Sequence, residues 1–156
     1  MNNYKYLLFD ADNTLFDFNK AEKSAFLSLG DQLPDVFSEE NYGLYHKIND
    51  EMWKSLERGE ITKAKLKTLR FERLLDAVGH PCSEETSASV AARYESALGN
   101  GRFLIDGALE ILDYLYERYK IYIITNGLKA VQTKRFDGSL IEKYISKLYI
   151  SEEIGY

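Results

Sequence analysis

The stretch "LLFDADNTLFDF" at positions 7–18 decides the fold. The apolar run at 4–9 predicts a short buried strand, because it is aromatic and aliphatic and ends at polar turn formers. Residues i and i+2 of an extended chain project to the same side, so Asp10 and Asp12 are expected to face one site just beyond the strand. Two carboxylates this close need a metal ion, a proton or hydrogen-bond donors to relieve their repulsion.

A second stretch, "IYIITNG" at 121–127, has the same form: a buried strand, then a polar turn. A helix is predicted from about Leu128 to Phe136, and a last strand at 148–150. Strands alternating with helices indicate an α/β fold with a parallel sheet. Ligands bind beyond the carboxyl ends of such strands, so the two motifs meet if their strands are neighbours. The hydroxyl of Thr125 and the backbone N–H groups around Asn126 and Gly127 suit a phosphate oxygen at a helix N-terminus.

The segment between these motifs is helical throughout. Helices are predicted to end at Gly30, Gly59, Gly79 and Gly99. Ser83 is the predicted N-cap of the fourth helix, and Asp106 that of the helix after the block. In the third helix, the apolar face is predicted to hold Leu66, Leu69, Leu74 and the aliphatic stem of Arg73. The sequence therefore predicts an α/β core formed by 1–17 and 100–156, with an all-helical insertion at 18–99.

The composition is that of a globular protein, with 156 residues, 45% hydrophobic and 29% charged. The formal net charge of −5 gives no broad basic face for nucleic acid or an anionic membrane surface. The first residues contain neither a signal segment nor a membrane span, and the single cysteine, Cys82, fits a reducing compartment. We therefore expect a cytoplasmic protein in which Cys82 is a passive residue, without any indication of oligomeric state. The charged stretches "KTLRFER" (67–73) and "TKRF" (133–136) are predicted to be solvated faces.

The two motifs resemble those of the haloacid dehalogenase (HAD) superfamily. "DADNTLF" is similar to its motif I, D-x-D-x-T, and "IYIITNG" to its motif II. The helical block matches in size the cap that subfamily I inserts between them. The segments "DADNTLFDF", "TNGLKAVQTKR" and "ISEEIG" most resemble those of the noncanonical pyrimidine nucleotidase branch. The resemblance implies a HAD-like Rossmannoid parallel sheet, incomplete at about three strands, with a helical cap.

The resemblance also implies roles for the motif residues. Asp10 would attack phosphorus and form an aspartyl-phosphate, and its carboxylate would bind Mg²⁺. Asp12 would protonate the leaving oxygen, deprotonate the attacking water and bind Mg²⁺ through its backbone carbonyl. Thr125, with Asn126 and Gly127, would hold the phosphoryl group. The substrate would be a small phosphorylated metabolite, in particular a pyrimidine nucleoside monophosphate.

Other interpretations remain open at this point. Each motif alone could be an ordinary turn. Within the superfamily, a phosphatase acting on sugar phosphates, sialic acid phosphate or phosphoglycolate is the nearest rival. A non-catalytic binding module of the same fold is an interpretation of a different class. His46 and His80 are expected to be surface or packing residues rather than metal ligands.

The sequence departs from the family pattern at its C-terminal end. The family continues with a Lys-Pro, motif III, and later an acidic "GD" strand end, motif IV, and neither occurs before Tyr156. Lys143 and Lys147 lie too early to serve as the motif III lysine, and the pair Glu152 and Glu153 is expected to open a short helix. These 156 residues are therefore expected to be a fragment with little or no activity alone, and their first strand to be an open sheet edge.

Overall fold

A computed structural model of the protein describes residues 4–154. Three strands form one parallel sheet in the order β1-β2-β3, where β1 is Tyr6–Asp10, β2 is Lys120–Thr125 and β3 is Ile145–Ile150. Within β1 and β2, Tyr6 pairs with Lys120 and Asp10 pairs with Ile124. The predicted α/β fold with a parallel sheet of three strands is confirmed. The two motif strands are direct neighbours, so both motifs lie at the same edge of the sheet.

The chain divides into two compact units. The first unit contains the chain up to Glu22 and from Leu98 onward, and therefore holds the sheet. Its helices are α5 (Ala108–Tyr116), α6 (Lys129–Phe136) and the short α7 (Ser151–Ile154), with a 3₁₀ turn at Glu142–Tyr144. The predicted short helix at Glu152 and Glu153 is confirmed by α7.

The core of this first unit lies around the central strand β2. Ile121 and Ile123 are buried there with residues of α5, α6 and the turn after β1, namely Ala11, Leu15, Phe16, Ala108, Leu112 and Phe136. The rings of Phe16 and Phe136 meet edge to face at 4.9 Å. The N–H of Asp17 donates to the carbonyl of Phe103, and that of Ile105 to the carbonyl of Leu15. These bonds fix the segment that follows motif I.

The second unit, 23–97, is helical. Its helices are α1 (Phe18–Leu27), α2 (Glu39–Glu57), α3 (Lys63–Ala77) and α4 (Glu84–Leu98). The start of α1 and the last residue of α4 belong to the first unit. Its core is aromatic: the Tyr45 ring stacks on Phe26 at 4.8 Å and on Phe71 at 5.5 Å. Ser83 accepts the Thr86 N–H at 3.2 Å, which confirms it as the N-cap of α4.

Three local predictions were wrong. The helix predicted over 19–30 ends at Leu27, and the chain continues as a 3₁₀ turn over Ser28–Asp31. Asp106 does not cap α5: the N-cap is Gly107, because the Ala108 N–H bonds the Ile105 carbonyl and closes a turn one residue later. On α3, Arg73 is exposed, whereas Arg70 is 1% exposed.

The buried Arg70 also overturns the prediction of a solvated "KTLRFER" face. Its Nη1 donates to Oδ1 of Asn49 at 3.1 Å, and its guanidinium lies 4.6 Å from the centre of the Tyr94 ring. Glu95 adds negative charge, with 4.0 Å between its Oε1 and the Arg70 Nη2. The cation is buried because an aromatic and polar pocket from other helices receives it.

No helix within residues 4–154 is long and apolar enough to cross a lipid bilayer.

Candidate active site

Asp10 is the last residue of β1 and is exposed. The Thr14 hydroxyl donates a hydrogen bond of 3.0 Å to its Oδ2. The turn between them is tight: the Asn13 N–H bonds the Phe16 carbonyl at 2.7 Å, and Asn13 has φ 57°. Asparagine is among the few residues that adopt this left-handed conformation readily. The D-x-D-x-T spacing therefore brings the threonine back onto the first aspartate.

The carboxylate of Asp12 is held from a helix that is distant in sequence. Nε2 of Gln132 donates to its Oδ2 at 2.6 Å, and Nη1 of Arg135 donates to its Oδ1 in an ion pair. Both donors belong to α6, which follows the "TNG" motif. The Asp12 side chain is 26% exposed, so its carboxylate is bound but still reached by solvent. The repulsion expected beside Asp10 is relieved here by hydrogen-bond donors and a cation.

Arg135 is fully buried, and its guanidinium lies 5.5 Å from the centre of the Phe16 ring and 5.7 Å from that of Phe18. Its Nε and Nη2 have no hydrogen-bond partner among the described residues. A buried guanidinium requires a negative partner, and Asp12 provides it. The prediction that "TKRF" is a solvated charged face is therefore wrong for Arg135.

The second motif lies beside the first. Thr125 ends β2, is 4% exposed, and its hydroxyl accepts the Gly127 N–H at 3.1 Å. Asn126 is exposed. Gly127 packs directly against Gln132: a Cβ at this position would lie 2.9 Å from both Cγ and Cδ of that side chain. Gln132 thus contacts Gly127 of the second motif and Asp12 of the first.

The structure brings the predicted site residues together at the carboxyl ends of β1 and β2, because these strands are paired in parallel. They are Asp10, Asp12, Thr125, Asn126 and Gly127. Gln132 and Arg135 were not among the site residues predicted from the sequence. A signal was present, since the buried residues of α6 are Val131, Gln132, Arg135 and Phe136, which share one helical face. Two polar residues interleaved with apolar ones on such a face indicate buried partners rather than solvent.

Oxygen ligands for Mg²⁺ are available at the end of β1. Mg²⁺ prefers hard oxygen donors and is usually bound by one or two carboxylates, with water and substrate phosphate completing its shell. The exposed Asp10 carboxylate and the backbone carbonyl of Asp12 fit part of such a shell. Between residues 4 and 154, no three His, Cys, Asp or Glu side chains cluster so as to hold a metal ion. The residues present therefore fit a site completed by other ligands.

The lysines and histidines singled out in the sequence are exposed. They are Lys143, Lys147, His46 and His80. Burial, reinforced by the negative charges of Glu72 and Asp76, raises the pKa of the Cys82 thiol. A raised pKa keeps the thiol protonated near neutral pH, so Cys82 is a poor nucleophile, as predicted.

Comparison with known proteins identifies relatives over the whole chain. The chain is 31% identical to the HAD-hydrolase YfnB of Bacillus subtilis over 156 residues, which is 100% of this chain and 65% of YfnB. It is 37% identical to the pyrimidine 5′-nucleotidase PynA of Streptococcus pneumoniae over 154 residues, covering 97% of this chain and 63% of PynA. The pyrimidine 5′-nucleotidase YjjG of Escherichia coli is 30% identical over 155 residues, covering 97% of this chain and 64% of YjjG.

The fold is also found in a solved structure. The crystal structure of Bacillus subtilis YfnB bound to magnesium superimposes with a TM-score of 0.89 and 30% sequence identity. The match covers 99% of this chain and 67% of that one. No protein-family model matches the chain. The chain spans less than two thirds of the length of the curated relatives that it matches.

Proposed function

The chain belongs to the HAD superfamily of hydrolases, and we propose that the full-length protein carrying it is a Mg²⁺-dependent phosphatase for small phosphomonoesters. Pyrimidine nucleoside 5′-monophosphates are the proposed substrates. The observation that carries the proposal is the placement of Asp10, held by Thr14, beside the strand that ends at Thr125. Identity of 37% with a pyrimidine 5′-nucleotidase supports the substrate class.

The proposed reaction has two steps. Oδ1 of Asp10 attacks phosphorus while Thr14 holds Oδ2, the ester P–O bond breaks, and Asp12 gives its proton to the leaving sugar oxygen. Asp12 then takes a proton from water, which attacks phosphorus, breaks the aspartyl P–O bond and releases inorganic phosphate. The hydroxyl of Thr125 and the turn of Asn126 and Gly127 bind the phosphoryl oxygens.

Mg²⁺, bound by the Asp10 carboxylate and the Asp12 carbonyl, would neutralise negative charge between the nucleophile and the phosphate. Asp10 therefore has two functions in the proposal, as nucleophile and as ligand. The location proposed from the composition is the cytoplasm.

Asp12 favours a phosphatase over a dehalogenase. Phosphoester cleavage releases an alkoxide that needs a proton, whereas a departing halide needs none. Asp12 also argues against a non-catalytic module of the same fold, since such a module has no need for a second carboxylate held beside Asp10. The nearest rival remains a sugar phosphate phosphatase, which uses the same residues on a different substrate.

The test is a substrate panel with the full-length protein: pyrimidine and purine nucleoside monophosphates, sugar phosphates, sialic acid phosphate and phosphoglycolate. We expect Mg²⁺-dependent release of phosphate, fastest from pyrimidine nucleotides. Asp10→Asn should abolish turnover, and Asp106→Asn, at an exposed aspartate of the same unit, should leave it unchanged. Faster turnover of a sugar phosphate would show that the substrates are sugar phosphates rather than nucleotides. No turnover of any phosphoester would contradict the enzyme proposal and favour the binding module.

A further inference from the structure

Two polar side chains of α6, Gln132 and Arg135, are buried. Gln132 is 1% exposed and Arg135 is 0% exposed. Burying an amide and a guanidinium costs free energy unless partners compensate for the lost water. The Arg135 guanidinium lies against the rings of Phe16 and Phe18. Its Nε and Nη2, like the Oε1 of Gln132, have no hydrogen-bond partner within the described residues. The shared partner of the two side chains is Asp12.

The two donors bind opposite oxygens of the same carboxylate. Gln132 donates to Oδ2 and Arg135 to Oδ1, which restricts rotation of the Asp12 side chain about both of its torsions. Each oxygen of Asp12 accepts one donor, and the remaining lone pairs leave room for the proton that Asp12 gives up in the first step and takes back in the second. The arrangement therefore holds Asp12 without blocking it.

The donors are themselves held firmly. Gln132 packs against the backbone of Gly127, where a Cβ would not fit, and Arg135 lies against the rings of Phe16 and Phe18. These contacts come from the segments that directly follow β1 and β2, so the donors pack against both motifs. A mobile surface side chain could not fix the carboxylate in this way.

We propose that Gln132 and Arg135 are positioning residues that hold Asp12 in place for proton transfer to the leaving oxygen and from the attacking water. This inference rests on the proposed phosphatase function. Neither residue touches the phosphate in this proposal; both act through Asp12. Their removal should therefore lower kcat/KM, which reports the steps up to phosphorylation of Asp10, only for substrates whose leaving group needs the proton; proton transfer from the attacking water comes after that step and is common to all substrates.

The choice of leaving group separates a positioning role from a structural one. A nucleoside 5′-monophosphate releases an alkoxide that must be protonated, whereas p-nitrophenyl phosphate releases a stabilised phenolate that departs without a proton. We would measure kcat and KM for both substrates with the full-length protein and its Gln132→Met, Arg135→Met and Arg135→Lys variants. Thr133→Ala, at an exposed position of the same helix, is the matched control.

Gln132→Met and Arg135→Met should lower kcat/KM for the nucleotide at least about tenfold and change kcat/KM for p-nitrophenyl phosphate less than about threefold. Arg135→Lys should recover part of the loss, and Thr133→Ala should match the wild type. The ratio of the two kcat/KM values in one preparation does not depend on how much protein is folded, so poor folding of a variant leaves the test intact.

Equal losses of kcat/KM on both substrates, or no loss on either, would overturn the positioning role while leaving the phosphatase proposal standing. If the wild-type protein hydrolyses neither substrate, the phosphatase function fails, and the positioning role fails with it. The two failures are therefore distinguishable.

Discussion

Gly127 and Gln132 lie so close together that a Cβ on Gly127 would stand 2.9 Å from both Cγ and Cδ of Gln132. The glycine of the "TNG" motif is thus explained by the close approach of its neighbour. Without a side chain at 127, Gln132 can pass the backbone of the second motif and reach Asp12 of the first. One small residue allows the two motifs to share a hydrogen-bonded side chain.

Gly127→Ala should therefore destabilise the chain by about 1–3 kcal/mol, because the buried Gln132 must move away. Urea unfolding measures the change in the free energy of unfolding. Gly43→Ala is the control: it lies within α2, a Cβ there meets nothing within 4 Å, and it should stabilise by about 0.5–1 kcal/mol. In a Gln132→Ala background the cost of Gly127→Ala should shrink. A cost that stays the same in both backgrounds would contradict the packing argument.

Thr14→Val should lower kcat of the full-length protein on a nucleoside monophosphate by roughly tenfold, since the shape is kept but the donor to Asp10 is lost. Steady-state kinetics provides the measurement. Thr14→Ser keeps the hydroxyl and should retain most of the activity. Equal activity of the valine and wild-type proteins would show that the Thr14 bond does not orient the nucleophile.

Arg70→Ala should destabilise the chain by on the order of 3 kcal/mol, because it removes a fully buried side chain and the donor to Oδ1 of Asn49. Arg73→Ala, three residues later on the exposed side of α3, should change stability by less than about 0.5 kcal/mol. Thermal or urea unfolding of the two variants compares them directly. A larger loss of stability for Arg73→Ala than for Arg70→Ala would instead support the prediction from the sequence, in which Arg73 packs and Arg70 is solvated.

Leu8→Lys should reduce self-association of the 156-residue chain. In the described sheet β1 is an edge strand, and its Leu8 is 63% exposed, an arrangement that favours pairing with another strand. A lysine at this position should oppose such pairing. Leu140→Lys removes an equally exposed leucine, 69% accessible, from outside the sheet and should have little effect. Sedimentation velocity over a concentration series tests this, and a wild-type chain that stays monomeric throughout would contradict it.

The elements that local pattern governs could be predicted from the sequence. The three strands, the helical insertion and the motif turns follow from apolar runs and turn-forming residues within a few positions of each other. The N-cap at Ser83 is equally local, since its partner Thr86 is three residues away. The N-cap of α5 was missed because the turn at Ile105 and Ala108 closes through backbone bonds that side-chain type does not reveal.

The sequence by itself determined the α/β plan, the parallel sheet and the presence of two aspartates and a threonine at strand ends, because each depends on neighbours along the chain. Only the tertiary structure decided which charged residues are buried. Arg135 meets Asp12 across 123 residues, and Arg70 meets Asn49 across 21. Whether a long cationic side chain faces solvent or a carboxylate depends on the partner that folding brings to it, and helical periodicity alone does not name that partner.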